Sequence, residues 1–271
     1  MTDKKYELTD DTMVIGGCTL HRIRALRSFG NVIKGELGGF IESEANLSHR
    51  GNCWVSDEAT VLQNARVMHN AQIRGNANVY GGAQVYGNAQ VYWDAQVCGN
   101  AKVCGNAKVC GDAQVYGDAQ VCEDAKVCGD ANVGGNANVG GNARVMDNAN
   151  VGGNAWVMDN ANVCGNAWVM DNANVCGDAR VMDNANVRGD AYILHPKDLI
   201  VIGPLGSRND RIAACRNKNG GIEVATGCFH GTLEEFKKQV KRTHGENRYG
   251  KEYQAAIAFI KKFFSIARGL D

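Results

Sequence analysis

Alanine recurs at position 59, 65, 71 and every sixth residue to 191, twenty-three times in one register without an insertion. Two residues after each alanine stands Val or Ile, from Val61 to Ile193. Within Ala-x-Val-x the apolar positions alternate with the strand period of two, so Ala and Val share one face and the variable residues the other. The remaining pair of most hexads is Gly-Asn, Gly-Asp or Asp-Asn, residue types that tolerate positive φ and favour turns. Strand and corner in strict alternation, with a small and a branched residue always inside, predict a coil wound around a narrow core.

The flanks read differently. Upstream, Ala45 and Leu47 keep the hexad pattern, and Cys53 occupies the alanine register of Ala59, so two extra residues fall around Ser48–Gly51. Residues 1–40 hold two short apolar stretches and predict a cap on the open first coil, because repeat stacks need covered ends. Pro196 ends the ladder. Beyond it, "DLIVIGPLGSRND" predicts a strand and loop, and "RIAACRNKNGGIEVATGC" a hairpin turning at Asn219-Gly220. Thr232 and Glu235 form a capping box ahead of a helix, and Tyr253, Ile257, Ile260 and Phe264 lie on one stripe of a second. The expected division is a cap over 1–40, a coil over 41–195 and a small α+β domain over 196–271.

The six-residue unit resembles the hexapeptide repeat of left-handed parallel β-helices, in which three hexads make one triangular coil. That resemblance implies the handedness and a mostly β fold of seven to eight coils, about 35 Å long at ~4.8 Å per strand spacing.

Residues 18 apart should then stack in outward columns. One contains Tyr86, Cys104, Cys122 and Met158, and another Tyr92, Cys110, Cys128 and Met146. Such columns are more apolar than a solvated face requires and predict an oligomer interface. Hexapeptide-repeat proteins are commonly trimers, so the resemblance implies a homotrimer. Lys108, Lys126, Arg144 and Arg180 flank the second column, either as an anion-binding stripe or as a solubilising edge.

Charge is balanced overall, 29 basic against 29 acidic residues, but uneven along the chain: residues 54–191 carry net −6 and 196–271 net +6. The balance argues against a nucleic-acid-coating protein. No stretch has membrane-spanning length or signal-peptide character, which predicts a cytoplasmic protein with reduced cysteines. No CxxC pair occurs among the 11 cysteines, so no metal and no cofactor is expected.

Two segments of the last domain carry candidate chemistry. "GPLGSRN" places Ser207, Arg208 and Asn209 beside flexible backbone amides, and "GCFHGT" places Cys228, His230 and Thr232 just ahead of a helix N-terminus. These six residues are expected to bind an anion, with no catalytic residue assigned. Of the six histidines, His49 and His69 are the general-base candidates, His49 the better because it lies in the two-residue insertion.

The combination of "GELGGFIESEANLS", "GNCWVSDEA", the long Ala-x-Val array and "IGPLGSRND…GCFHGTLEEF" resembles hexapeptide-repeat proteins encoded by bacteriophages and prophages, over essentially the whole chain. Such proteins are usually described only as transferases or polymer-forming proteins. The leading expectation is a non-enzymatic, oligomeric phage binding protein in the host cytoplasm. It would be a counter-defence inhibitor that binds a host protein or sequesters a small anionic, nucleotide-type ligand. The first alternative is an acyltransferase using an acyl thioester donor, and the second a structural or filament component.

Overall fold

The computed structural model describes residues 4–267. Each hexad contributes a two-residue strand, and every strand pairs in parallel with those 18 residues before and after it; Gln90–Val91, for example, lies between Gln72–Ile73 and Lys108–Val109. Three faces result, one of nine parallel rungs and two of eight. This is the left-handed parallel β-helix of the hexapeptide repeat. The nine rungs exceed the coils counted from the 23 regular hexads because Leu37–Ile41 joins the stack below Thr60–Val61.

The core is a column of Ala and Val side chains, all 2% exposed or less from Ala59 to Ile193. Burying each valine contributes about 1.5–3 kcal/mol. Alanine fits where the chain approaches a corner and the interior narrows, and the first corner residue adopts left-handed backbone, as at Gly105 (φ 67°), Asp147 (φ 59°) and even Trp93 (φ 63°).

The second corner residue explains the recurrence of Asn. Its side-chain amide donates to the same position one coil on, so Asn70, Asn88, Asn106 and Asp124 form a ladder with steps of 3.1, 3.0 and 2.9 Å. An ionised aspartate accepts but cannot donate. Asp124 therefore ends its run, and the ladder resumes from Asn142 through Asn160 to Asp178.

The two-residue insertion is visible as a change in spacing. Leu47 bridges Val67, twenty residues away, whereas Val55 pairs with Ile73 at the regular eighteen. Below it, strands Tyr6–Ile15 and Cys18–Ala25 form an antiparallel hairpin that continues the coil's sheet through Leu37–Ile41. Tyr6, Ile23, Phe29 and Trp54 extend the coil core into this end. Lys5 is fully buried there, its ammonium donating to the Cys53 carbonyl at 2.7 Å and to its sulfur at 3.2 Å.

At the other end, strands Leu199–Leu205, Asp210–Arg216, Ile222–Thr226 and Phe229–Thr232 form an antiparallel sheet in sequence order. Gly220 (φ 74°) turns the hairpin at the expected place. One face of this sheet packs against the coil core through Ala213 and Cys215. The other carries Ile212 and Val224 against helices α1 (Leu233–His244) and α2 (Arg248–Ala267). Thr232 caps α1, with Glu235 reaching back to complete the box.

Reduced cysteines were expected throughout, but Cys104 and Cys122 are joined by a disulfide. The physical reason is the stacking itself, which brings their Cα atoms to 4.6 Å, within the span a disulfide bridges. Among the described residues no helix is long and apolar enough to cross a membrane.

Candidate functional site

The six anion candidates do not converge on one site. Ser207, Arg208 and Cys228 line a cavity of about 240 Å³ on the helix side of the C-terminal sheet, together with His244 and Tyr253. Asp210 lines the same cavity, so Arg208 does not face an anion unopposed. Asn209 occupies the left-handed position of the adjoining turn (φ 50°). Thr232 is used by the helix cap, its hydroxyl donating to Glu235 at 2.8 Å and accepting the Glu235 amide at 3.3 Å. His230 points the other way, towards the coil.

The position of His230 follows from the hairpin register. Gly227-Cys228 forms a two-residue turn between Thr226 and Phe229, which pair, so Ala225 faces His230 and Glu223 faces Thr232. Residues two apart on one strand share a face, which makes Glu223 and His230 diagonal neighbours. Phe229 consequently packs on Phe236 of α1, with ring centroids 5.2 Å apart, while His230 lies against the corner of the last coil. A Cβ at Gly189 would sit 2.4 Å from His230 Cε1, so the glycine makes room for the ring.

In this junction His230 Nε2 stands 3.4 Å from Glu223 Oε2. Glu223 is itself held by Asn217, whose side-chain amide donates to Oε1 at 3.0 Å. Asn217 is fixed in turn by accepting the backbone amides of Asn219 and Gly221. Lys218 ties the same loop to the coil through Asp190 at 2.9 Å. Among the described residues Nδ1 of His230 has no hydrogen-bond partner, and the side chain is one-third exposed. In the tautomer that carries its proton on Nε2, beside the carboxylate, the neutral ring keeps a lone pair on Nδ1. A carboxylate on one nitrogen and an open lone pair on the other is the arrangement a general base requires.

The histidines favoured from sequence are engaged differently. His49 has the same pairing with a carboxylate, Nε2 to Glu44 Oε2 at 3.4 Å, and stacks on Tyr6. Its Nδ1, however, accepts the backbone amide of Lys5 at 3.2 Å, so no lone pair is left for a substrate proton. Nδ1 of His69 accepts the Gly87 amide at 3.4 Å, and among the described residues no carboxylate pairs with the ring. The expectation that His49 is the better base is corrected on this ground.

The outward columns stack as expected, but stacking hides much of them. Cys110 is 3% exposed, and Tyr86, Tyr92, Cys104, Cys122, Cys128, Met146 and Met158 are half-buried by their neighbours. On the coil the large apolar side chains left open are instead Trp93, Tyr116, Trp156, Trp168, Met182 and Tyr192.

No family model and no curated protein matches this chain. Among solved structures it is similar to a UDP-N-acetylglucosamine acyltransferase from Campylobacter jejuni, at 12% identity over 78% of this chain and 93% of that one, with a TM-score of 0.37. It is also similar to a hexapeptide transferase family protein from Anaplasma phagocytophilum, at 12% identity over 86% of this chain and 93% of that one, with a TM-score of 0.21. The expectation of a non-enzymatic phage binding protein is corrected here: the two similar structures are described as transferases and neither as a binding protein. Neither points to a phage or prophage source. At 12% identity the likeness concerns the fold, so any chemistry has to be argued from this chain's own residues.

Proposed function

We propose that this protein is an acyltransferase that moves an acyl group from a thioester to a hydroxyl or amine acceptor, with His230 as general base and Glu223 as its orienting partner. The observation that carries the reading is the 3.4 Å approach of His230 Nε2 to Glu223 Oε2 at a junction where the histidine side chain remains one-third exposed. In the reaction Nδ1 takes the acceptor's proton as its oxygen or nitrogen attacks the thioester carbonyl. The C–S bond breaks, the thiolate leaves, and the proton is returned to it. Glu223 stabilises the imidazolium formed between these steps, at a site whose geometry is fixed through Asn217. The protein acts as a homo-oligomer in this proposal, with the exposed aromatic residues of the coil available for self-association.

The test is thiol release from a panel of acyl thioesters, offered with hydroxyl and amine acceptors, by the parent chain and by His230→Gln. Acceptor-dependent thiol release by the parent, lost in the variant with the circular dichroism unchanged, supports the reading. Equal turnover by both proteins sinks it.

A further inference from the structure

The midpoint of the coil holds a second cluster of chemistry, unrelated to His230. Cys110 and Cys128 are equivalent positions on consecutive coils, and their sulfurs stand 2.6 Å apart. The strands that carry them are paired in register, which also stacks Lys108 directly against Lys126. Among the described residues neither lysine forms a salt bridge within the chain, so both ammonium groups act on the thiol pair beside them. Tyr92, one coil earlier in the same column, also favours the Cys110 thiolate. The contact with Cys128, helped by Tyr92 and the two ammonium groups, holds the Cys110 thiol below its ordinary range, while the contact with Cys110 and burial push that of Cys128 up. One sulfur is therefore favoured as thiolate while its neighbour keeps its proton, and the same two coils are already cross-linked at the adjacent corner by Cys104–Cys122.

We propose that Cys110 and Cys128 form a hydroperoxide-reactive dithiol, in which Cys110 takes the oxygen and Cys128 resolves it into a second disulfide between these two coils. In the first step the Cys110 thiolate attacks hydrogen peroxide; the O–O bond breaks, an S–O bond forms, and hydroxide leaves. In the second the Cys128 sulfur attacks the Cys110 sulfenic acid; the S–S bond forms, the S–O bond breaks, and the Cys128 proton leaves with the oxygen as water. Two thiols and one peroxide give one disulfide and two waters, with two electrons passing from sulfur to oxygen. The class of oxidant follows from burial. Cys110 is only 3% exposed, which disfavours attack on a bulky disulfide and leaves a two-oxygen molecule as the oxidant small enough to reach it.

The sequence provides a direct readout, because trypsin cuts after Lys102, Lys108, Lys126 and Arg144. Peptide 103–108 holds Cys104, 109–126 holds Cys110 and Cys122, and 127–144 holds Cys128. The full chain is reduced with a phosphine, freed of it, exposed to hydrogen peroxide at pH 7 and digested without reductant. The expected result is 127–144 joined to 109–126 before 103–108 is, with Cys110 consumed at least about tenfold faster than exposed Cys228, as its thiolate character implies. In Cys128→Ser, dimedone should trap a sulfenic acid at Cys110. Lys108→Met with Lys126→Met should slow the linkage by about tenfold while leaving the coil folded. Peptide 127–144 remaining unlinked while Cys104 and Cys122 reconnect would overturn the proposal. So would glutathione disulfide forming the Cys110–Cys128 link as fast as peroxide does.

Discussion

Two histidine–glutamate pairs bracket the coil, His49 with Glu44 at its start and His230 with Glu223 at its end, and both have Nε2 at 3.4 Å from a carboxylate oxygen. They differ in the second nitrogen. At His49 the Lys5 amide closes it, the ring stacks on Tyr6, and the pair fastens the N-terminal strand to the coil. At His230 the second nitrogen is open, and the pair sits where two packed units meet. A histidine held on both sides is a structural tie. One held on one side is positioned to move a proton.

The largest expected effect separates the two. His230→Gln should lower kcat for acyl transfer by about 10²–10⁴-fold, the usual worth of a general base, with little change in thermal stability. His49→Gln should leave kcat within about twofold. It should instead lower unfolding free energy by about 1–2 kcal/mol, since a part-buried Lys5 amide loses its acceptor. Steady-state kinetics and denaturant titration on both variants decide the matter, and a reversed pattern would assign the base to the wrong end.

Much of this difference was out of reach of residue patterns, for a definable reason. The coil was legible because its period is short and unbroken, so Ala59 predicts Ala191, and the two-residue insertion near Ser48 survives as the twenty-residue spacing of Leu47 and Val67. The stacking of Cys104 on Cys122 was equally legible; their covalent link was not, because an 18-residue spacing brings two sulfurs together without fixing their oxidation state. The His230–Glu223 pair requires a register across a hairpin. The signal was present: a two-residue turn at Gly227-Cys228 makes Thr226 and Phe229 partners, and counting back places Glu223 diagonal to His230. Reading His230 together with Cys228 as one anion loop missed that Cys228 belongs to the turn and lies outside the strand that carries His230, so the rule that alternate residues share a face does not join them. The closure of His49 was invisible for a different reason, since its partner is a backbone amide 44 residues away.

A smaller but sharper test uses the glycine under the ring. Gly189 has φ 66°, and an added Cβ would meet His230 Cε1 at 2.4 Å. Gly189→Ala should therefore shift the imidazole while sparing every atom of the His230–Glu223 pair. The expected loss in kcat is up to about 10²-fold, as for a displacement on the order of 1 Å at a reacting group. Backbone strain of about 1–3 kcal/mol should accompany it. Gly51 provides the matched control near the other pair: its Cβ would strike the His69 carbonyl at 2.2 Å, so Gly51→Ala should destabilise the first coils without slowing acyl transfer. If the two substitutions affected turnover alike, general loosening of the coil would account for both.

The smallest expected effect concerns acid. Lys4 donates to Glu44 at 2.7 Å, and this bond, helped by His49, holds the Glu44 carboxyl below its ordinary range. The folded chain thus binds a proton at Glu44 less readily than the unfolded chain. The corresponding stability is complete above the ordinary carboxylate range and is lost as pH falls through it and below. Because Glu44 is 41% exposed, solvent screening limits the contribution to about a few tenths of a kcal/mol. Glu44→Gln should accordingly flatten the acid side of a plot of melting temperature against pH and change little at neutrality. Acyl transfer by the same variant should be unaltered at every pH where the protein is folded, because Glu44 belongs to the tie and not to the base. A change in turnover with Glu44→Gln, at unchanged melting temperature, would mean that the N-terminal pair takes part in the chemistry after all, and the distinction drawn from the Lys5 amide would fail.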